Sequence, residues 1–187
     1  MSPGQVGVRP GSQRIPAYLG TRRWLATLAA SVVTTYALDF VATSAGLLLV
    51  ASHLLEGLDR GEALVLLFAS YLAWAGGLWA ILKVNWDLLQ RTGTSTNLLS
   101  KAAHDLVTRR TSSQRWRRAA AHLGYIVTEL AKEAPYYLGA AGAALFTESI
   151  SAVDAIVFLA GANVGAAAYE FALARGLRLF LAWAIKR

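Results

Sequence analysis

The sequence predicts an all-α fold: a four-helix transmembrane bundle with an amphipathic surface helix in its central loop. Three observations predict it. The chain is 56 % hydrophobic and 16 % charged, whereas soluble domains sit near about 45–50 % apolar and about 25 % charged. Its apolar residues come in blocks as long as the roughly 20 residues that cross a bilayer. Its basic residues gather on alternate connections, with acids on the others, as membrane topology requires. The length of 187 residues suits one domain.

Taken in order, residues 1–23 form a basic tail rich in glycine and proline. No apolar segment follows a charged start, so a cleaved secretory signal is not expected. Arg9, Arg14, Arg22 and Arg23 precede the first acid, Asp39. That composition has features of an organellar transit peptide, but a tail lying on an anionic membrane face is the simpler reading. A first transmembrane hairpin spans 24–90. Its first helix, over 24–55, would be roughly 48 Å long, against a hydrocarbon core of about 30 Å. Trp24 is therefore expected in the interface, with the spanning part at 36–55. An acidic turn leads to a second helix over 63–89. The segment 91–118 is polar and basic. A second hairpin spans 119–187, with helices over 119–146 and 151–183 and a basic end.

The turns at 53–62 and 147–154 hold five acids and one arginine. The tail, the 91–118 segment and the C-terminal end hold fifteen Lys and Arg against Asp105 alone. The positive-inside rule then places both termini and the long loop on the cytoplasmic, matrix or stromal side. The protein is expected in a bacterial plasma membrane or an organellar inner membrane.

The hairpins resemble each other. The run beginning at Glu62 aligns with that beginning at Asp154 at a shift of 92 residues, which also lays Trp79 and Lys83 on Phe171 and Arg175. Close to that register Asp39 meets Glu133. Two hairpins in the same orientation would form a parallel repeat.

Charge inside apolar runs is costly, roughly 2.5–3.5 kcal/mol per residue near the bilayer centre. Asp39, Lys83, Glu129, Lys132, Glu133, Glu170 and Arg175 form the expected intramembrane polar set. Counted from the outer turns at about 1.5 Å per residue, the charges lie roughly 20–31 Å deep, in the inner leaflet. Two readings follow. The acids line a polar cavity open to the inner side, serving a proton or cation relay. Alternatively Lys83, Lys132 and Arg175 neutralise them in an ion-paired layer whose long side chains reach the interface. The depth favours the paired layer.

Small residues mark packing faces. Gly161, Asn163 and Gly165 make a GxxxG around an amide, and Gly139 and Gly142 follow Pro135. Such faces let helices approach closely in lipid, and the expected contact is between the third and fourth transmembrane helices. In the loop, 97–110 carries Leu98, Leu99, Ala102, Leu106 and Val107 at helical spacing, as in a helix lying on the bilayer. Lys101, Arg109, Arg110, Arg115, Arg117 and Arg118 would attract anionic lipid.

Much chemistry is missing. There are no cysteines, so thiolate metal sites, disulfides and Cys nucleophiles are excluded. His53, His104 and His122 fall in no zinc or di-iron spacing, and no nucleotide-binding or nucleophile motif occurs. No enzyme, cofactor, metal, nucleic acid or small-molecule substrate is therefore expected.

Leu38-Asp39-Phe40 and the aromatic-x-x-x-basic helix ends, Trp79 to Lys83 and Phe171 to Arg175, resemble the GtrA-type flippases of polyprenyl-linked sugars, small four-helix proteins with both ends inside. The resemblance covers about a third of the chain. It departs in the 91–118 loop and at Glu170, where that family usually has Asn. It implies a small flippase or transporter. The residues themselves favour a non-enzymatic subunit of a larger membrane complex, packed through small-residue faces and holding lipid or a soluble partner on its basic side.

Overall fold

A computed structural model describes residues 37–48, 57–147 and 150–185. The tail, Trp24, His53, the outer turn at 53–56, Glu148, Lys186 and Arg187 lie outside the described residues. Within them the chain is all helical and has no strand: α1 (Ala37–Leu48), α2 (Arg60–Thr92), α3 (Leu98–Thr108), α4 (Gln114–Phe146) and α5 (Ala152–Ile185). By length and composition α2 and α5 can each cross a membrane.

Local chemistry sets the ends. At the start of α2 the Asp59 carboxylate accepts from the Glu62 N–H (2.8 Å) and Glu62 accepts from the Asp59 N–H (3.0 Å), a capping box. At the start of α5 the Asp154 N–H donates to Ser151 Oγ (3.1 Å) and Asp154 accepts from the Ser151 N–H (3.0 Å). Ser151 and Asp154 follow Asp59 and Glu62 by the 92 residues of the sequence alignment. Gly93, at φ 68°, ends α2 in the left-handed conformation that glycine adopts without strain. The helix α4 runs on through Pro135.

The core forms where α2 and α5 run side by side in parallel. Trp74, Leu78, Ile81, Val84 and Leu88 of α2 pack with Ala166, Ala167, Ala174 and Leu181 of α5. The contacts keep one register. Ser70 meets Asn163 across a separation of 93, and a methyl on Gly77 would stand 2.9 Å from Cβ of Glu170. The short α1 runs parallel to α4 in the same way, through Asp39 to Lys132 (separation 93) and Ser44 to Tyr136 (separation 92). The two hairpins thus lie in the same sense, at the register of their sequence alignment.

The GxxxG face of α5 corrects an expectation. Its glycines meet α1, and Asn163 between them reaches α4 through Tyr137. Methyls on Gly161 and Gly165 would stand 2.7 Å from Leu47 Cα and 2.3 Å from the Ala42 carbonyl oxygen, and one on Gly46 would stand 2.5 Å from the Gly165 nitrogen. Only glycine permits backbones this close. Moved by 93 residues, Gly46 becomes Gly139 and Gly161 becomes Phe68. There the symmetry fails: no described atom lies within 4 Å of a methyl placed on Gly139 or Gly142. From Pro135 onward α4 has no buried residue.

A polar clip holds α3 against α2 and α4. Fully buried Asn85 donates to Ser100 Oγ (2.9 Å) and accepts from Ser95 Oγ (2.6 Å). Asn97 caps α3 by accepting from the Ser100 N–H (2.8 Å), and Thr128 Oγ1 reaches the same Asn97 oxygen (3.2 Å). At Gly124 a methyl would stand 2.7 Å from the Leu99 carbonyl oxygen. The helix therefore packs by its polar face and leaves Leu98, Leu99, Ala102 and Leu106 exposed, the stripe a bilayer surface would cover.

Candidate functional site: a buried carboxylate cluster

Five of the seven residues expected within the membrane come together where α1, α4 and α5 meet. Asp39 on α1, Glu129 and Glu133 on α4 and Glu170 on α5 are each at most 4 % exposed. On α4, Glu129 and Glu133 are one helical turn apart and face the same way; Lys132 sits between them in sequence. Its ammonium is 2.6 Å from Asp39 and 2.5 Å from Glu129, and 5.9 Å from the Tyr169 ring centroid. The lysine therefore ties α1 to α4 through Asp39, while Glu129 on its own helix shares the ammonium.

The other two acids differ. Among the described residues, Glu133 Oε2 and both oxygens of Glu170 are buried without a hydrogen-bond donor. Glycine at position 77 leaves the space against α2 that Glu170 occupies.

Lys83 and Arg175 do not join the cluster. Both side chains are on the exposed side of their helices. Lys83 rests on Trp79, 5.6 Å from the ring centroid, and neither forms an ion pair among the described residues. Among the described residues the ion-paired layer expected from depth thus contains one cation, Lys132, where three were expected. Depth along a helix is legible in a sequence; the direction a side chain takes around the helix depends on packing, which here turns Glu170 inward.

Asn163 is fully buried among three helices. It accepts from Tyr137 OH on α4 (2.8 Å) and its amide donates to Ser70 Oγ on α2 (3.3 Å). The basic loop residues are spread around the inner end. Lys101 pairs with Asp105 at 2.6 Å, and Arg117 donates twice to the Thr111 carbonyl (3.1 and 3.0 Å). Arg118 lies over Trp86, 5.2 Å from its centroid, and Arg109, Arg110 and Arg115 are exposed. At Asp105 burial pushes the pKa up, but hydrogen bonds and charge from Lys101 and His104 outweigh it, so the net direction is down. Asn85, the hub of the α3 clip, has little sequence signal, because it stands between Lys83 and Asp87 near the polar end of α2.

Among the described residues no group of three or more His, Asp or Glu side chains is arranged to hold a metal ion. No family model, no curated protein and no solved structure matches the chain. The resemblance at Leu38-Asp39-Phe40 and the two helix ends is thus one of local pattern alone.

Proposed function

We propose that the chain is a four-span integral membrane protein, with both ends and the 91–118 loop on the cytoplasmic, matrix or stromal side, and that it works as a small transporter or flippase through its buried carboxylates. One observation carries this reading: among the described residues Glu133 Oε2 and both Glu170 oxygens are buried without a donor, while Lys132 is already held by Asp39 and Glu129. Among those residues four acids surround one cation, a poor structural device, because breaking even or better requires that buried charges be paired. The arrangement suits a site that takes up and releases protons or a positive group. The two same-sense hairpins support it, since parallel repeats about an axis along the membrane normal recur in transporters.

The test uses the full chain in liposomes holding a pH-sensitive dye, with a fluorescent phospholipid as a second probe. Proton entry under an imposed potassium diffusion potential, or lipid movement between leaflets, is expected to exceed that of protein-free liposomes. E133Q/E170Q should abolish it while leaving thermal unfolding unchanged. Unaltered flux in that variant, or no movement of either probe by the wild-type chain, sinks the transporter reading.

The second reading, a non-enzymatic subunit of a membrane complex, is favoured by the open small-residue surface of α4 around Gly139 and Gly142. Small residues facing lipid gain nothing, whereas facing another helix they permit close packing. A chain that migrates alone after mild extraction from its native membrane would count against it.

A further inference from the structure

A cavity of about 350 Å³ opens on the outer side of the bundle where the inner end of α2 faces the start of α4. Trp79, Lys83, Trp86, Asp87, Arg118 and His122 line it. Its chemistry is specific. The Lys83 ammonium and the Arg118 guanidinium each lie over a tryptophan face, at 5.6 and 5.2 Å from the ring centroids, which holds two long cations at the cavity wall. The His122 ring stands edge-on to Trp86, 6.5 Å between ring centroids, on the α4 side of the cavity. Trp79 is 65 % exposed and forms a rim of the kind that sits at lipid headgroup level.

We infer that this cavity binds the phosphodiester head of an anionic inner-leaflet lipid of the phosphatidylglycerol type. The charges select that class. Two cations and Asp87 leave a net charge of one, which matches a phosphodiester, whereas a phosphate monoester carries about 1.5–2 negative charges at neutral pH. Arginine suits a phosphate because its planar fork can donate two parallel hydrogen bonds. The acyl chains would run outward past Trp79 along the exposed apolar side of α2. The inference rests on the membrane reading above and is independent of transport.

The full chain is reconstituted into phosphatidylcholine bilayers, and brominated phosphatidylglycerol is compared with brominated phosphatidylcholine as a quencher of tryptophan fluorescence. The glycerol lipid should quench preferentially. Each cation contributes about fivefold, so K83Q/R118Q should lower the preference by about 25-fold, while K83R/R118K retains most of it with the charge intact. Wild-type preference in K83Q/R118Q, with the thermal transition unchanged, overturns the inference. Loss of quenching on adding soluble glycerol phosphate also overturns it, by making the ligand a free phosphate. A chain that fails to enter bilayers refutes the membrane reading itself, and the site falls with it.

Discussion

The sharpest prediction concerns Gly165. An alanine there would place its methyl 2.3 Å from the Ala42 carbonyl oxygen, 2.6 Å from Thr43 Cα and 2.9 Å from the Ala42 carbonyl carbon. These are backbone atoms, so no side-chain rotation relieves the clash, and α1 must move as a body. Overpacking of this kind costs about 1–3 kcal/mol. The upper end applies, because Asp39 lies one turn from Thr43, and displacing α1 also stretches its 2.6 Å bond to Lys132. Alanine regains about 1 kcal/mol of helix propensity over glycine, for a net loss of about 2 kcal/mol. Gly139→Ala meets no described atom within 4 Å and should gain about 0.5–1 kcal/mol. The gap between the variants is then about 3 kcal/mol, or roughly 6–12 °C in midpoint at about 2–4 °C per kcal/mol for a chain of this size. Thermal unfolding in one mild detergent, followed by circular dichroism, measures it. If Gly165→Ala melts as high as Gly139→Ala, the close contact of α1 with α5 is refuted.

Three further outcomes are expected. Lys132→Met strips the cation from buried Asp39 and Glu129 and should cost about 3–5 kcal/mol; adding D39N and E129Q should recover much of this in the same melt. Asn85→Leu removes the donor to Ser100 Oγ and the acceptor of the Ser95 hydroxyl, which keeps its bond from the Asn97 N–H, at about 1–3 kcal/mol for each group left unpaired. Hydrogen exchange over 95–108 should rise while that of α5 stays put, and equal exchange in both segments would remove the clip. The Asp105 pKa is depressed, so its support of α3 is complete above the ordinary value of 3.8 and fades as the pH falls below it. The protection of α3 amides, relative to their intrinsic exchange at each pH, should be flat from pH 7 to 5 and fall in acid below 3.8, and D105N should remove that fall.

The sequence by itself determined the features that are local or lie along one dimension. Helix class and extent follow from apolar blocks, and the 92-residue shift that relates the hairpins recurs in their two capping boxes because a cap needs only a few neighbouring residues. The depth of Asp39, Glu129, Lys132, Glu133 and Glu170 follows from counting residues at a fixed rise. Azimuth and partner were decided only by the tertiary structure. Lys83 and Arg175 stand at the right depth, yet point outward, because the packing of α2 on α5 at Gly77 fixes which side of each helix faces in. Gly161 and Gly165 announce a close approach without naming the neighbour, since every helix in this chain offers an apolar surface. What selects α1 is the matching gap at Gly46, more than a hundred residues away in the chain, and only the folded arrangement brings the two together.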